Sequence, residues 1–417
     1  MKSAVVSDTH GCPSWLPRPA RVRLGWALFG WALVLCVMAW PRDAQAYAWM
    51  IRHGYTKCDT CHTDPSGGET LNHMGRVQSE TLLSTDWGGH DTVTSDAKLL
   101  YSLDEPDHWR GGGAVRVMSL YTLKNKEAPS EFRWFPMQMD LYGGADYGFL
   151  KFGGSFGLGK IRQGSQYMRA AQVTRTDEGY ALLSRSHWVG FDLGNNWLVR
   201  LGRLNLPFGV RTSEHTLLVR QSTHTDRESD QQHGAAISYS GGRFRGEGMF
   251  VAGNFQIAPD DYRKRGFTGY LEYLLEPNLA VGIDTLILTS GKDADEGRTQ
   301  RTINHAHGVT ARYSPMTQLA VLGELDVLKI SGRKLGYAGF ATGDYELKQG
   351  LHLAATAEVA NNGRKEDAEP APGAGEMTYN LWLTCQWFAL THLDFRADAV
   401  LSKGGGKVIE AQAHMYF

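Results

Sequence analysis

Leu319-Ala-Val-Leu-Gly-Glu-Leu-Asp-Val-Leu328 is the stretch that decides the fold. Its apolar residues Leu319, Val321, Leu325 and Val327 stand at alternate positions. Glu324 and Asp326 occupy positions between them. Because successive side chains of a β-strand point to opposite faces, the stretch predicts a strand with one apolar face and one acidic face. One face suits an apolar medium and the other suits water.

The same alternation recurs in about sixteen segments between Gly111 and Phe417, most of them about eight to thirteen residues long, which is the length of a tilted strand that crosses a bilayer. In the segment from His352 to Val359, small and apolar residues alternate with His352, Thr356 and Glu358. The segment from His392 to Leu401 repeats the pattern. A soluble β-sandwich also alternates, so the connections between strands must discriminate between the two folds.

The connections alternate between long and short. The long ones are Lys124 to Trp134, Arg162 to Arg185, Pro207 to Gln232, Asn254 to Arg265, Ser290 to Asn304 and Asn361 to Glu376. The short ones are Gly194-Asn195-Asn196, Gly241-Gly242, Glu276-Pro277-Asn278, Ser314-Pro315-Met316 and Ala389-Leu390-Thr391. Long loops on one side and tight turns on the other are typical of an outer-membrane barrel. The chain also ends on an alternating strand that closes with Phe417. We therefore predict an all-β, transmembrane outer-membrane β-barrel of about 16 antiparallel strands over residues 97–417.

The polar face of this barrel predicts a lumen rich in carboxylates. Its acidic members are Asp140, Asp192, Glu272, Asp284, Glu324, Asp326, Glu358, Asp394 and Asp398, and its basic members are Arg200, Arg245 and Arg396. Such a pore raises the local concentration of cations. The alternative is that these residues form ordinary cross-strand charge pairs.

Further carboxylates and imidazoles fall in the predicted outer loops. They are His215, His224, Asp226, Glu228, Asp230, Asp260, Asp261, Asp293, Asp295, Glu296, Glu366, Asp367 and Glu369. These groups could bind ferrous or other divalent ions transiently, or they could simply make the loops soluble. Cys385 shares a face with Leu381 and Leu383, which predicts a small residue on the lipid side.

The composition excludes some partners. The formal net charge is -1 and glycine is abundant at 49 residues, which suits many turns and strands. No basic patch interleaved with aromatic residues is present, so we expect no nucleic-acid partner. Outer-membrane lipid is the partner that the alternating strands predict.

The N-terminus resembles a secretory signal. Arg21 and Arg23 precede an apolar run, and Ala44-Gln45-Ala46 offers small residues for cleavage, so residues 1–46 are predicted to be removed before Tyr47. The alternative is a transmembrane anchor, although the run is at the short limit for spanning. Beyond this region we expect no long apolar helix.

Cys58-Asp-Thr-Cys61-His62 carries the plainest chemistry in the chain. Two cysteines three residues apart, followed directly by a histidine, form the attachment pattern of one covalent haem c, with His62 as the proximal axial ligand of the iron. A zinc site would need a second ligand pair, and the remaining downstream cysteine is the distant Cys385. A redox dithiol would normally lie in a βαβ unit, for which there is no pattern here.

Residues 47–96 form the predicted monohaem segment, a loop with short helical pieces. About fifty residues bury too little apolar surface to enclose a haem alone, so the segment needs shelter from the barrel. Met74 and His73 are the leading candidates for the distal axial ligand, because they follow the turn at Pro65-Ser66-Gly67-Gly68.

Weaker distal candidates lie upstream. They are Met50 and His53, and a third alternative leaves the position open or fills it with a barrel residue. Trp49 and Tyr55 are expected to pack against the porphyrin or the lumen wall rather than to act in redox chemistry.

A haem motif close to a signal and followed by a whole barrel resembles the fused monohaem outer-membrane cytochrome–porins of iron-oxidising bacteria. The residues that carry the resemblance are Cys58, Cys61, His62, Pro65 and Leu71-Asn72-His73-Met74-Gly75-Arg76. Pro65-Ser66-Gly67-Gly68 is longer than the usual spacing of that family, which indicates a divergent member.

The resemblance implies a function. Extracellular Fe(II), or another redox partner, would give electrons that leave to a periplasmic c-type cytochrome or a similar carrier. Any enzymatic activity would then be that of an Fe(II):cytochrome c oxidoreductase, and the sequence assigns no separate catalytic residue. The alternatives are electron export to an extracellular acceptor, or a passive cation-preferring porin whose haem is structural or sensory.

Overall fold

The computed structural model describes residues 48–87, 98–99, 103, 106–123, 129–161, 170–174, 176–212, 214, 216–257, 263–291, 301–364 and 376–417. The predicted signal peptide and the predicted mature start at Tyr47 lie outside these residues. So do the loop residues His215, Asp260, Asp261, Asp293, Asp295, Glu296, Glu366, Asp367 and Glu369.

Strands make up most of the described chain. They are β1 (Trp109–Thr122), β2 (Glu131–Asp146), β3 (Leu150–Ile161), β4 (Gly179–Leu183), β5 (His187–Gly194), β6 (Trp197–Leu204), β7 (Gln232–Gly241), β8 (Phe244–Gly253), β9 (Arg265–Glu276), β10 (Leu279–Ser290), β11 (Thr302–Met316), β12 (Leu319–Ile330), β13 (Gly336–Lys348), β14 (Leu351–Asn361), β15 (Thr378–Leu390), β16 (Leu393–Ser402) and β17 (Lys407–Tyr416).

The strands close into a barrel. Neighbours in the chain pair antiparallel, and β1 pairs with β17, from Ala114 opposite Tyr416 to Thr122 opposite Val408. β4 and β5 pair with successive parts of β3, so together they fill one position in the wall. The result is the closed 16-stranded antiparallel barrel that the alternation predicts, and closure leaves no unpaired edge.

The two faces of β12 lie as predicted. Leu325 is 54% exposed and Val327 is 46% exposed on the outside, whereas Glu324 and Asp326 are 5% and 0% exposed on the inside. Cys385 is exposed on the outer face of β15, as expected. The two-residue alternation of a strand thus predicts correctly which side chains of these strands face the lumen and which face outward.

The connections differ in length at the two ends of the barrel. β5 and β6 are joined by Asn195 and Asn196 alone, and both have positive φ angles, as a tight turn between strands requires. Two predicted turns lie a few residues later than expected. β11 extends through Pro315 to a turn after Met316, and β15 extends to Leu390. All six predicted long connections join strands at the opposite end.

The long connection between β6 and β7, residues 205–231, does not project outward as predicted but folds into the lumen. Its helix Leu218–Thr223 contains Val219, which is 0% exposed. The Leu218 N–H donates to Glu358 Oε2 at 2.6 Å, and the Val210 N–H donates to Glu324 Oε2 at 2.6 Å. Strand carboxylates therefore hold this connection inside the barrel, because they accept hydrogen bonds from its backbone.

The N-terminal segment, residues 48–87, is built of short helical pieces. They are the 3₁₀ helices Ala48–His53 and Cys58–Thr60, the α-helix His73–Gln78 and the π-helical turn Ser79–Leu83. This segment and the barrel belong to one compact unit, Asp43–Phe417. Among the described residues, no helix combines the length and the apolar character needed to cross a membrane.

Replacing Leu325 with arginine should destabilise the barrel by about 2–4 kcal/mol if this site lies near the bilayer midplane, because a charge on the outer face must enter hydrocarbon. Urea unfolding in lipid vesicles would measure the change. Leu335 is 67% exposed just before β13, and Leu335→Arg is the matched control. Equal losses in the two variants would contradict an outer face in contact with lipid.

Candidate functional site

The two cysteines and the histidine of the motif lie on one tight turn. The N–H groups of Cys61 and His62 both donate to the Cys58 carbonyl oxygen, at 3.2 and 3.0 Å. This 3₁₀ turn brings residues that are three and four apart in sequence onto the same side of the chain. Both cysteines are free thiols.

Glycines allow the following chain to fold back over the motif. Gly67 has a φ of +77°, a conformation that glycine adopts without strain, and a Cβ there would lie 3.1 Å from the Cys58 Cβ. The returning chain then pairs with the motif, since Asn72 N–H donates to the Cys61 carbonyl at 2.9 Å. A Cβ on Gly75 would lie 2.2 Å from the Cys61 carbonyl oxygen. The Gly-Arg step at Gly75 therefore permits a close contact between the helix and the motif.

A buried ion-pair group fixes the segment to the barrel wall. Arg200 on β6 is 0% exposed, and its guanidinium contacts the carboxylates of Asp64 at 2.5 Å and Glu247 at 2.6 Å. Burial acts to raise the pKa of Asp64, but the Arg200 charge and hydrogen bonds from Ser66 hold it below its usual range. Asp64 therefore stays ionised and bound to the wall.

Further polar contacts join the segment to strand ends near the short turns. Lys57 Nζ donates to the Ser240 carbonyl at 2.8 Å, and Arg312 donates to the Thr56 carbonyl at 3.2 Å. Arg52 forms an ion pair with Asp344. The segment thus lies in the barrel mouth that carries the short turns.

Apolar contacts complete the docking. Ile51 packs against Ala280 and Ala320 of the barrel wall. Trp49 contacts His352 and Phe388, with ring centroids 4.8 and 6.2 Å apart. Burial of this surface contributes to docking in proportion to the apolar area removed from water.

Cys61 lies in a second apolar cluster, together with Met50, Tyr55, Leu83 and Phe388. Burial raises the pKa of the Cys61 thiol to about 12. Reactive redox cysteines have lowered pKa values, so the redox-dithiol alternative is disfavoured.

A cavity borders the motif. It holds about 1420 Å³ of empty space, including open solvent, and Cys58, His62 and Leu71 line it on the side of the segment. Phe208 and Val210 of the inward connection supply apolar lining. Neither His73 nor Met74 reaches this cavity.

The imidazole of His62 is held in its neutral form. Burial, followed by the nearby Arg227 charge, lowers the pKa of His62 to about 4, so the ring is neutral at neutral pH. Its Nδ1 is buried and has no hydrogen-bond partner. A neutral imidazole is the form that ligates iron.

These observations fit a covalently attached haem. The turn presents two free thiols, His62 is neutral, and the cavity opens beside Cys58 and His62. Within the described residues, no group of three or more His, Cys, Asp or Glu side chains could hold a metal ion. Cys61 itself does not line the cavity, so its side chain would have to turn toward it.

The distal candidates lie on the outer side of the helix His73–Gln78. His73 is exposed, and Met74 is 43% exposed with its Sδ accepting from Gln78 Nε2 at 3.5 Å. Upstream, Met50 is buried and His53 contacts Glu346 at 3.2 Å. The identity of the distal ligand stays a prediction.

The lumen contains the predicted acids, but arginines balance many of them. Of the nine, all except the half-buried Asp192 are buried. Arg185 contacts Asp140 at 2.5 Å, Arg220 contacts Glu324, and Arg312 contacts Glu272. This favours the charge-pair alternative. Sequence reasoning missed lumen arginines that lie in strand breaks and in the inward connection, where the period-two rule does not apply. They are Arg185, Arg211, Arg220 and Arg227.

We expect docking of the segment to weaken as pH rises, through Glu69. Burial raises the pKa of this carboxyl to about 7 from the ordinary 4.5, against the opposing effect of its hydrogen bond from Ser186. The docked state therefore holds a proton that the released state loses, and this contribution falls away as pH increases from 4.5 to 7. Protease protection of the segment should fall across this window in the wild type. It should stay level in Glu69→Gln, and an equal decline in both would contradict the assignment.

Comparisons with known proteins identify the fold. No protein-family model and no curated protein sequence matches the chain. Among solved structures, a loop-deletion variant of the outer-membrane protein OmpT of Vibrio cholerae matches at 13% identity and a TM-score of 0.53, covering 74% of this chain and 99% of that one. An anion-selective porin from Comamonas acidovorans matches at 13% identity and 0.52, covering 74% and 99%. The outer-membrane channel DcaP of Acinetobacter baumannii matches at 14% identity and 0.51, covering 76% and 99%. The chain therefore has the porin-like fold of outer-membrane β-barrels.

Proposed function

We propose that this protein transfers electrons across the bacterial outer membrane by means of one haem c, bound covalently through Cys58 and Cys61. In this proposal His62 is the proximal ligand. Extracellular Fe(II) gives one electron and becomes Fe(III), and an oxidised periplasmic c-type cytochrome accepts that electron. The bound haem supplies one-electron redox chemistry within a layer where hydrocarbon about 30 Å thick blocks charge transfer.

One observation carries the proposal: the turn that holds Cys58, Cys61 and His62 lies inside a barrel, beside a cavity, and is fixed there by a buried arginine. Arg200 joins Asp64 of the segment to Glu247 of the wall. A small soluble carrier would need a core of its own, whereas here the wall supplies it. In outer-membrane barrels the short turns face the periplasm, so the segment would lie at the periplasmic mouth.

In this proposal, different residues attach the haem, bind its iron and hold the segment in the barrel. Cys58 and Cys61 anchor the cofactor, and His62 keeps its ring neutral for the iron. Phe208 and Val210 give the cavity an apolar wall. Arg52, Asp64 and Lys57 keep the segment in the mouth, so the redox centre stays at a fixed depth.

An anaerobic absorption spectrum tests the Fe(II) reaction. Purified full-length protein in detergent should show the bands of reduced haem after Fe(II) is added, and dithionite should define complete reduction. If the bands stay oxidised across a suitable pH range while dithionite reduces them, Fe(II) donation is wrong. An oxidised extracellular acceptor that drains the reduced protein would then favour electron export.

A passive porin is the second candidate, and the structural comparisons favour it specifically. The matched proteins include a named channel and a named porin. Single-channel conductance in planar bilayers separates the two candidates. If the protein is an electron conduit, the docked segment should obstruct the lumen and leave only a small conductance. A large current through the haem-loaded protein would therefore support a porin.

A further inference from the structure

Three arginines border the cavity beside the motif without a carboxylate partner among the described residues. They are Arg116 on β1, and Arg211 and Arg227 in the inward connection. We propose that these arginines form a binding site for a pair of carboxylates on one ligand, the propionates of the haem. The inference rests on the proposed attachment of haem at Cys58 and Cys61.

Arg211 is the central member of the site. It is 8% exposed, and its Nε and one terminal nitrogen are buried without hydrogen-bond partners. The other terminal nitrogen donates weakly to the Leu206 carbonyl at 3.3 Å. Its guanidinium also lies over the ring of Tyr270, 5.6 Å from the centroid. The aromatic contact positions the charge but does not neutralise it.

Arg227 and Arg116 extend the site. Arg227 donates to the Gly67 carbonyl, and its Nε is buried without a partner. A Cβ on Gly68 would lie 2.6 Å from a terminal nitrogen of Arg227, so the glycine admits this guanidinium against the motif turn. Arg116 approaches from the wall, and its Nε is also buried without a partner.

The aspartate and glutamate side chains that border the cavity already have other partners. Asp140 and Glu228 contact Arg185 at 2.5 and 3.2 Å. Glu214 contacts Arg396 at 2.6 Å. Glu69 accepts from Ser186 Oγ at 2.5 Å. None of these contacts satisfies the buried guanidinium nitrogens of Arg116, Arg211 and Arg227 that have no hydrogen-bond partner.

These unsatisfied guanidinium nitrogens favour an anionic acceptor. Buried charges are costly unless they are paired. The planar guanidinium fork matches a carboxylate with two parallel hydrogen bonds, so the chemistry selects carboxylates.

The shape of the cavity selects a ligand with an apolar body. Leu71, Phe208 and Val210 line it together with the arginines, and Cys58 and His62 also border it. A porphyrin attached there carries two propionates and a flat apolar ring. A free dicarboxylate that enters through the pore shares the carboxylate chemistry, and the experiment separates the two sources.

The test uses the full chain with Cys58→Ser and Cys61→Ser, so that no haem is attached. Calorimetry measures binding of mesoporphyrin IX, of its dimethyl ester and of succinate. We expect the diacid to bind at least about tenfold more tightly than the ester, because each charge-assisted hydrogen bond contributes about tenfold or more. Arg211→Gln should weaken diacid binding by about tenfold or more. Arg211→Lys should retain part of it.

Arg133→Gln is the control, because Arg133 lies outside this cavity and pairs with Glu131 at 2.7 Å. Heat-modifiable migration on gels would show that each variant is folded. Equal binding of diacid and ester, or diacid binding unchanged by Arg211→Gln, would overturn the inference. Succinate binding with the same arginine dependence would identify a free dicarboxylate as the ligand and overturn the propionate assignment.

The experiments distinguish a failure of the proposed function from a failure of this inference. If the wild-type chain carries no covalent haem while the apo variant binds the diacid through Arg211, the carboxylate site stands and the electron-transfer proposal falls. If haem is attached, its midpoint potential should fall in Arg211→Gln, because a positive charge nearby favours the reduced state. An unchanged potential, together with arginine-independent diacid binding, would overturn the inference alone.

Discussion

Replacing both Cys58 and Cys61 with serine is expected to abolish covalent haem. The wild-type chain, produced in a host with haem-attachment enzymes, should keep its haem through denaturing electrophoresis, because thioether bonds survive unfolding. The double variant should show no haem-dependent peroxidase stain at the position of the protein. Each single variant should retain one bond and stain less.

Cys385→Ser is the matched control for this prediction. Cys385 is an exposed cysteine on the outer face of β15 and lies far along the chain from the motif. Its replacement should leave the stain unchanged. A wild-type protein that folds in the outer membrane and never stains would rule out haem attachment, and the porin candidate would then lead.

The second large effect is expected from Arg200→Leu. This change leaves Asp64 and Glu247 buried without their counterion, and removal of one partner from a buried ion pair costs about 3–5 kcal/mol. Because the hydrogen-bonded wall persists, we expect the N-terminal segment to leave the lumen while the barrel stays closed. Limited proteolysis should then cut the segment, and bilayer conductance should rise.

Asp64→Asn is expected to release the segment less completely than Arg200→Leu, since it leaves the ion pair between Arg200 and Glu247 in place. Asp59→Asn is the control in the same segment, because Asp59 is exposed. Protection from protease that is equal in Arg200→Leu and Asp59→Asn would contradict the role of Arg200 as the anchor.

The barrel was predictable because its rule is local. In β12, the alternation of Leu325 and Val327 with Glu324 and Asp326 needs only neighbouring residues to reveal which face is outside. The cofactor motif is equally local, since its spacing alone carries the hypothesis. Strand number followed from counting such segments.

The inward connection was not predictable by the same reasoning. Its position depends on contacts between distant residues, such as the Leu218 N–H and Glu358, 140 positions apart. A polar loop looks the same in sequence whether it faces solvent or accepts partners inside a pore. One signal could have helped: Leu217, Leu218 and Val219 form an apolar run, which is unusual for a solvent-exposed loop. Arg211 and Arg227 of the cavity were missed for the same reason, because they lie in this connection.

The contacts of the segment also constrain the order in which this chain can fold. Arg76 donates to the Gly111 carbonyl at the start of β1, and Ser79 Oγ lies 3.0 Å from the Tyr416 hydroxyl at the end of β17. These two strands are the first and last of the barrel and meet at its seam. The segment therefore contacts both sides of the seam between the first and the last strand of the barrel. Its full set of contacts cannot form until that seam has closed. Docking of the segment therefore completes after barrel closure and stabilises the closed barrel.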